Sequence, residues 1–261
     1  MLDEAVTTTD RNLVTSVTRA TAIVEFLAGG SAEYTLLEVA DGTGLNKTTA
    51  HRLLHTLHNV RWVDRTASGG YKLAAHMARI GFAIQRNDSV WQVAVPHLER
   101  LAARASGTAM LMIPSEAGAV CIEAIAGGGP ITINIVRPGS VVPYHASSGP
   151  RVLAAFSPER MSRLLADPIL QRFTTDTIVD REPLAARLEQ IRTRGYEVTD
   201  SELVDGTAAV SVPVFDHRGT VVAAVTLGDT AANIFNAELP TKIEMVTDAA
   251  RAISSELGWA G

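Results

Sequence analysis

The stretch Leu37-Glu-Val-Ala-Asp-Gly-Thr-Gly-Leu-Asn-Lys-Thr-Thr-Ala-His-Arg-Leu-Leu-His-Thr-Leu-His58 reads as two short helices around a glycine-containing turn. In its second half Ala50, Leu53, Leu54 and Leu57 recur at i, i+3, i+4 and i+7, which puts them on one helix face and leaves Lys47, Thr48, His51, Arg52 and His55 largely on the others. One stripe packs and the opposite stripe is free to touch something. Asn46 carries the short acceptor side chain of an N-cap. A helix start with free amides suits an anion, and Lys47 adds a point charge there. Thr48, Thr49 and Arg52 are groups that reach phosphate oxygens or base edges. Ahead of this helix, Leu37 and Ala40 are predicted to point inward, and Gly42 and Gly44 let the chain turn where a side chain would crowd or a positive φ is needed. The pattern is that of a helix-turn-helix whose second helix reads duplex DNA.

The flanking residues extend this unit in both directions. Upstream, Val17, Ala20, Ile23, Val24 and Leu27 have helical spacing and Gly29-Gly30 stop them, which completes a three-helix core. Downstream, Trp62-Val63 and Tyr71 with Leu73 flank a Ser68-Gly-Gly70 tip, a hairpin signature, and a hairpin here is the wing of a winged helix. Arg65 and Lys72 sit on or beside it, within reach of phosphates or the minor groove. Residues 11–74 are therefore assigned to a DNA-binding domain. Charge alone does not support it: residues 1–79 carry eight Lys/Arg and eight Asp/Glu, within a chain total of 23 and 28. A neutral domain relies on a few well-placed contacts and on doubling through a dimer.

At 261 residues and 46% hydrophobic, the chain suits two modest domains. No uninterrupted apolar run reaches the length of a membrane span, and Asp3, Glu4 and a run of Thr do not make a signal peptide. A cytoplasmic protein without membrane association is expected. The single cysteine, Cys121, excludes an internal disulfide and reads as a buried strand residue. Seven histidines form no metal-ligand spacing, so neither metal nor cofactor is expected.

Residues 75–106 read as a helical linker. One helix is expected to end near Asp88 and a second to start around Ser89, bent or restarted at Pro96. Its surplus of apolar residues fits either a surface shared with a second subunit or a larger intramolecular core. From 107 to 261 the pattern becomes α+β. Strands are predicted at 108–113, 119–125 and 131–136, helices at 148–165 and 181–194, strands at 208–215 and 221–228, and a final helix at 237–257. The sheet is expected to be covered on at least one face.

A binding site in this second domain is expected where Pro143-Tyr-His-Ala-Ser-Ser-Gly149 delivers amides at a helix start. Small residues there, Ala146, Ser147, Ser148 and Gly149, allow a carboxylate to approach the backbone. Asp205, Thr226 and Gly228 are further polar or small groups near sheet ends, and together they fit a small organic acid. Two other readings compete. A serine hydrolase would use Ser147 or Ser148 with His145 and Asp205, but no Gly-x-Ser-x-Gly elbow surrounds either serine, and no phosphate loop or metal cluster suggests other catalysis. A small-molecule-binding protein with no role in transcription is the other reading, and retention of duplex DNA separates it from a regulator.

Taken together, these segments resemble the IclR family of bacterial transcriptional regulators from Ser16 to about Leu257. The resemblance rests on Ser16-Val-Thr-Arg-Ala20, Thr43 to Leu57, Tyr71-Lys-Leu73, Pro143 to Ala154, Arg194-Gly-Tyr-Glu-Val-Thr-Asp-Ser-Glu202 and Ser211-Val-Pro-Val-Phe-Asp216. It implies a winged helix-turn-helix, a helical linker and an effector-binding domain related in shape to GAF and PAS modules. It also implies dimers that often pair into tetramers, duplex operator DNA as partner, and an organic or aromatic acid as effector of an uptake or catabolic operon. By this match the reader carries over to Lys47, Thr48, Thr49, His51 and Arg52, and the expected DNA-contacting set adds Arg19, Asn46, Arg65 and Lys72. The effector set is Ala146 to Gly149, Asp205, Pro213, Thr226 and Gly228. Three departures stand out. Gly149-Pro150-Arg151 replaces the family's common Gly-Lys-Ala, Arg61 stands where many members have Gly before the wing, and Ser201-Glu202 replaces a common acidic pair.

Overall fold

A computed structural model describes residues 13–29, 32–87, 89–128 and 135–261, with the side chains of 82–87 outside that description. The chain divides between Ile84 and Gln85 into two units.

In the first unit, α1 (Thr15–Leu27), α2 (Leu36–Thr43) and α3 (Lys47–Asn59) precede a hairpin of β1 (Val63–Arg65) and β2 (Tyr71–Leu73), and α4 (His76–Asn87) follows. Helix α2 opens with a capping box: the Thr35 hydroxyl accepts from the Glu38 amide, and the Glu38 carboxylate accepts from the Thr35 amide at 2.7 Å. It closes at Gly44, whose φ of +66° is the left-handed conformation that glycine adopts without strain. Asn46 then caps α3 as expected, its Oδ1 accepting from the Thr49 amide at 2.8 Å. Ile23, Leu27, Val39, Leu54, Leu57, Val63 and Tyr71 form the core.

Two inward assignments are corrected. Leu37 is 56% exposed and Val39 takes its place, because Leu36, Val39, Ala40 and Thr43 follow the 3.6-residue period and Leu37 lies about 100° off that stripe. Val17 is 58% exposed, since it lies in the first turn of α1, at the edge of a groove rather than over the core. The hairpin pairs Val63 with Leu73, Asp64 with Lys72 and Arg65 with Tyr71. A segment absent from the sequence reading joins it: Tyr34 exchanges two backbone hydrogen bonds with Tyr71, at 2.9 and 2.7 Å.

The second unit begins with α5 (Ser89–Ala105), a continuous helix that contains Pro96. Asp88, the expected stop of the preceding helix, lies outside the described residues. Strands β3 (Thr108–Pro114), β4 (Ala119–Ala126) and β5 (Val141–Val142) come next, then α6 (Ser148–Ala155), α7 (Pro158–Ala166) and α8 (Arg181–Arg194). Finally come β6 (Glu197–Asp200), β7 (Thr207–Phe215), β8 (Val221–Thr230), α9 (Ala231–Ile234) and α10 (Leu239–Glu256). The strands form one antiparallel sheet ordered β5-β4-β3-β8-β7-β6, so β8 is central.

Both faces of the sheet are covered. Alternation along β3 sends Ala109 and Leu111 to one side and Met110 and Met112 to the other. The first side packs against Leu98 and Leu101 of α5 and Val246, Ala250 and Ile253 of α10. The second packs against Val152 and Leu153 of α6 and Leu184, Leu188 and Ile191 of α8. The apolar surplus of α5 is thus accounted for in large part within its own unit.

The helix expected over 148–165 is two helices. Ser157 leaves the helical region and caps a new start at Pro158, whose missing N–H is harmless only in a first turn. Of the strand expected at 131–136, residues 131–134 lie outside the described residues, and Ile135 and Val136 sit in a bend.

Candidate DNA interface and effector site

On α3 the buried stripe is Ala50, Leu54 and Leu57, while Lys47, Thr48, His51, Arg52 and His55 are exposed and Thr49 is half-buried. The exposed set therefore stands outward on a helix fixed from beneath. Arg19 of α1 joins it: Arg19, Thr49, His51 and Arg52 line one open groove between α1 and α3, with Val17, Leu53, Leu57, Val60 and Trp62 as its apolar side. Asn46, Lys47 and Thr48 sit at the start of α3 outside that groove, and Arg65 and Lys72 are exposed on the hairpin. Within this unit, cationic groups lie along α3 and again on the hairpin, with apolar packing holding each element.

In the second unit the strand registers build rows of side chains across one sheet face. Thr108, Gly228, Ala209 and Thr199 are successive partners across β3, β8, β7 and β6, and Met110, Thr226, Ser211 and Glu197 form the next row. Over these rows, beside the start of α6, lies a cavity of about 60 Å³. Ser147, Thr226 and Gly228 of the expected set line it, together with Thr108, Met110, Met112, Thr199 and Glu202.

The other expected residues have different places. Ala146 and Ser148 are fully buried behind the wall. Ser148 Oγ, Ser211 Oγ and Thr226 Oγ1 form a hydroxyl chain at 2.7 and 2.8 Å. Gly149 is where α6 meets the sheet, since a Cβ there would lie 2.7 Å from both Met112 Sδ and Thr226 Oγ1. Pro213 is buried opposite Ala224, one row deeper beneath α6, and does not line the cavity. Asp205 is exposed in the turn before β7 and does not line it either.

Thr108, Met110, Met112, Thr199 and Glu202 escape the sequence reading because only the sheet register, with the loop after β6 for Glu202, brings them together. The alternation of Thr108, Met110 and Met112 is the one local hint. At the start of α6, the Ser148 and Gly149 amides have no acceptor among the described residues. Two buried donors at a helix start are an arrangement suited to a carboxylate.

Arg151 does not enter the cavity. Its fully buried guanidinium donates to Glu197 Oε1 at 2.7 Å, to His145 O at 2.6 Å and, as a fork, to both oxygens of Glu202. Burial pulls the Arg151 pKa down, and hydrogen bonding and charge pairing with Glu202 and Glu197 more than offset this, leaving it above its ordinary value. Glu197 is shared with Arg187 and Arg194. Arg151 Nε alone, among buried side-chain nitrogens and oxygens of the described residues, lacks a partner. A lysine here could not supply the fork.

The groups a hydrolase would need are apart and occupied. Ser148 bonds Ser211, His145 Nε2 pairs with Gln171 O at 2.7 Å, and Asp205 faces solvent. Cys121 is fully buried in β4, and burial pushes its thiol up to about 12, which keeps it protonated and unreactive. No helix among the described residues is long and apolar enough to cross a membrane, and no cluster of three metal-ligating side chains occurs among them.

The IclR helix-turn-helix domain model matches residues 16–67, and the bacterial transcriptional regulator IclR C-terminal model matches 82–255. The HTH-type transcriptional regulator XynR of Escherichia coli K12 is 30% identical over 249 residues, spanning 95% of this chain and 98% of its own. An IclR transcriptional regulator from Alicyclobacillus acidocaldarius superposes with a TM-score of 0.81 at 26% identity, covering 95% of this chain and 100% of that one. An IclR homolog from Microbacterium hydrocarbonoxydans, solved in complex with 4-hydroxybenzoate, shares the fold with a TM-score of 0.78 at 24% identity, covering 93% and 98%. With a helix-turn-helix in its first unit, a covered antiparallel sheet in its second, and both family models matched in order, the chain belongs to the IclR family of bacterial transcriptional regulators, whose members are not enzymes.

Proposed function

We propose that this protein is an effector-responsive regulator that binds a roughly palindromic operator as a homodimer and takes a small organic acid in its second unit. The observation that carries the DNA reading is the outward set Lys47, Thr48, His51 and Arg52 on a helix whose Ala50, Leu54 and Leu57 are buried. Such a helix enters a major groove while the hairpin's Arg65 and Lys72 meet the backbone alongside. A dimer, paired further into a tetramer, doubles the few contacts that a charge-balanced domain offers.

The cavity beside α6, with Ser147 in its lining and the Ser148 and Gly149 amides of the next two residues without an acceptor among the described residues, supports a carboxylate as the effector's anchoring group. That a fold relative binds 4-hydroxybenzoate is in keeping with an acid of this kind. The second unit is read as a GAF/PAS-like effector domain. Effector binding shifts the arrangement of the reader helices through the 75–106 linker, to the extent that the two arrangements differ in affinity for the acid.

Gel-shift titration of purified protein against its own upstream region and a scrambled duplex tests this. Selective retention of the former is expected. Arg52→Ala then costs about 1–3 kcal/mol and relaxes specificity if Arg52 reads a base, or weakens both duplexes alike if it holds a phosphate. Equal binding of both duplexes by the wild type overturns the reading.

A further inference from the structure

The effector cavity has an uneven supply of charge. Its described lining includes the hydroxyls of Thr108, Ser147, Thr199 and Thr226 but no Lys, Arg or His. Two carboxylate residues border it, and they differ. Asp229 follows Leu227 in the β8 alternation, so its side chain turns to the opposite face, where Thr230 N and Asn233 Nδ2 donate to it at 2.7 and 3.2 Å. Glu202 is the carboxylate that belongs to the cavity. Its side chain is 9% exposed, whereas its ionic partner Arg151 and the neighbouring Glu197 are at 0%, and it lines both this cavity and an open pocket beside β6 that Arg187 and Arg194 also line. The Arg151 fork takes one bond on each Glu202 oxygen. A carboxylate has about four acceptor sites, so acceptor capacity remains beyond the Arg151 fork.

We infer that the effector carries a hydrogen-bond donor, a hydroxyl, amine or amide N–H, that reaches Glu202 while its own carboxylate sits at the start of α6. The inference rests on the acid-effector reading above and narrows it. An acid with no donor leaves an acceptor-only group desolvated against apolar ligand surface, which costs free energy. A diacid brings a second negative charge to a site whose described lining offers no cation for it. Selection therefore favours hydroxylated or amino monoacids over plain monoacids, and both over diacids.

The test is calorimetric titration of the full-length protein with two series: butyrate, 4-hydroxybutyrate and succinate, and benzoate, 4-hydroxybenzoate and terephthalate. In at least one series the hydroxylated member should bind about tenfold or more tightly than its plain counterpart, as a hydrogen bond to a charged group implies. The diacid should be weakest. Glu202→Gln should bring the hydroxyl preference to within about threefold and improve diacid binding, as removal of the acceptor charge implies. Should that substitution unfold the domain, the wild-type ranking decides alone.

Equal affinity for plain and hydroxylated acids, a diacid that binds best, or a preference unchanged in folded Glu202→Gln overturns the inference. If plain acids bind equally well and Gly149→Ala abolishes that binding, the acid reading stands without the donor. If 1,4-butanediol binds better than butyrate and loses this in Glu202→Gln, the donor stands and the acid reading falls. Binding of no member of either series, nor of the diol, overturns both.

Discussion

Arg61 holds a φ of +63°, a conformation that costs a residue with a Cβ about 1–2 kcal/mol. Its amide still bonds His58 O at 3.0 Å, so the strained turn connects α3 to the hairpin. The glycine common at this position in the family answers that backbone requirement. Arg61→Gly is expected to stabilise the first unit by about 1 kcal/mol, read as a higher urea midpoint with unchanged slope. A parallel fall in DNA affinity would show that the arginine holds a phosphate in return for its strain. Arg151 is the counterpart in the second unit. Arg151→Met strands Glu202 without its ionic partner, while Glu197 keeps Arg187 and Arg194, and a destabilisation of about 3–5 kcal/mol is expected. Adding Glu202→Gln should recover part of it. A single mutant within about 1 kcal/mol of wild type, by the same unfolding measurement, would contradict the assignment of this pair to the core.

At the scale of elements, α2 shows how few residues define a helix: eight, opened by Thr35 and Glu38 and closed by Gly44. The Thr35 amide and hydroxyl donate to the Glu38 carboxylate and hold its pKa below the ordinary 4.5. A carboxyl depressed in the folded state contributes stability that is present above its unfolded value and lost as pH falls through the folded one. The stability difference between wild type and Glu38→Gln should therefore be constant near neutrality and shrink below pH 4.5. A difference that does not narrow under acid would place the capping contribution elsewhere. The helix pair α6 and α7 carries the complementary lesson. The apolar period across 148–165 favours one helix, but Ser157-Pro158 restarts the chain, because a proline is free of penalty only in a first turn. That break leaves α6 short enough to lie flat over β7 and β8, and it is Gly149 that permits the approach.

At the scale of the whole molecule, a chain with 23 basic and 28 acidic residues has no excess of positive charge, so on the proposed function DNA affinity rests on a few cations used twice in the proposed dimer. The slope of log affinity against log salt should drop by about two for Lys72→Ala, because each protomer of the dimer then neutralises one phosphate fewer, without a change in sequence preference. An unaltered slope would remove Lys72 from the interface. Much of the architecture is legible in the sequence itself. The leucine stripe of α3 with its Asn46 cap, the hairpin around Ser68-Gly69-Gly70, and the bounds of α8 each follow from local period and turn chemistry acting within a few residues. Leu37 and Val17 depart from the local pattern because a helical stripe says which residues share a face, not where along the helix a neighbour covers it. The cavity beside α6 lies further from reach. Thr108, Thr199 and Glu202 are about a hundred residues apart at the extremes and come together only when antiparallel registers align Thr108 with Thr199 and the loop after β6 brings in Glu202. The sequence by itself determined α3 and its outward face, the bounds of α8 and the hairpin turn, since these answer to interactions between residues near in the chain. Tertiary structure alone decided that Glu202 lines the cavity while Asp229 turns away and Asp205 stays in solvent, because the pairing of β8 and the path of the loop between β6 and β7, not composition, set what each carboxylate faces.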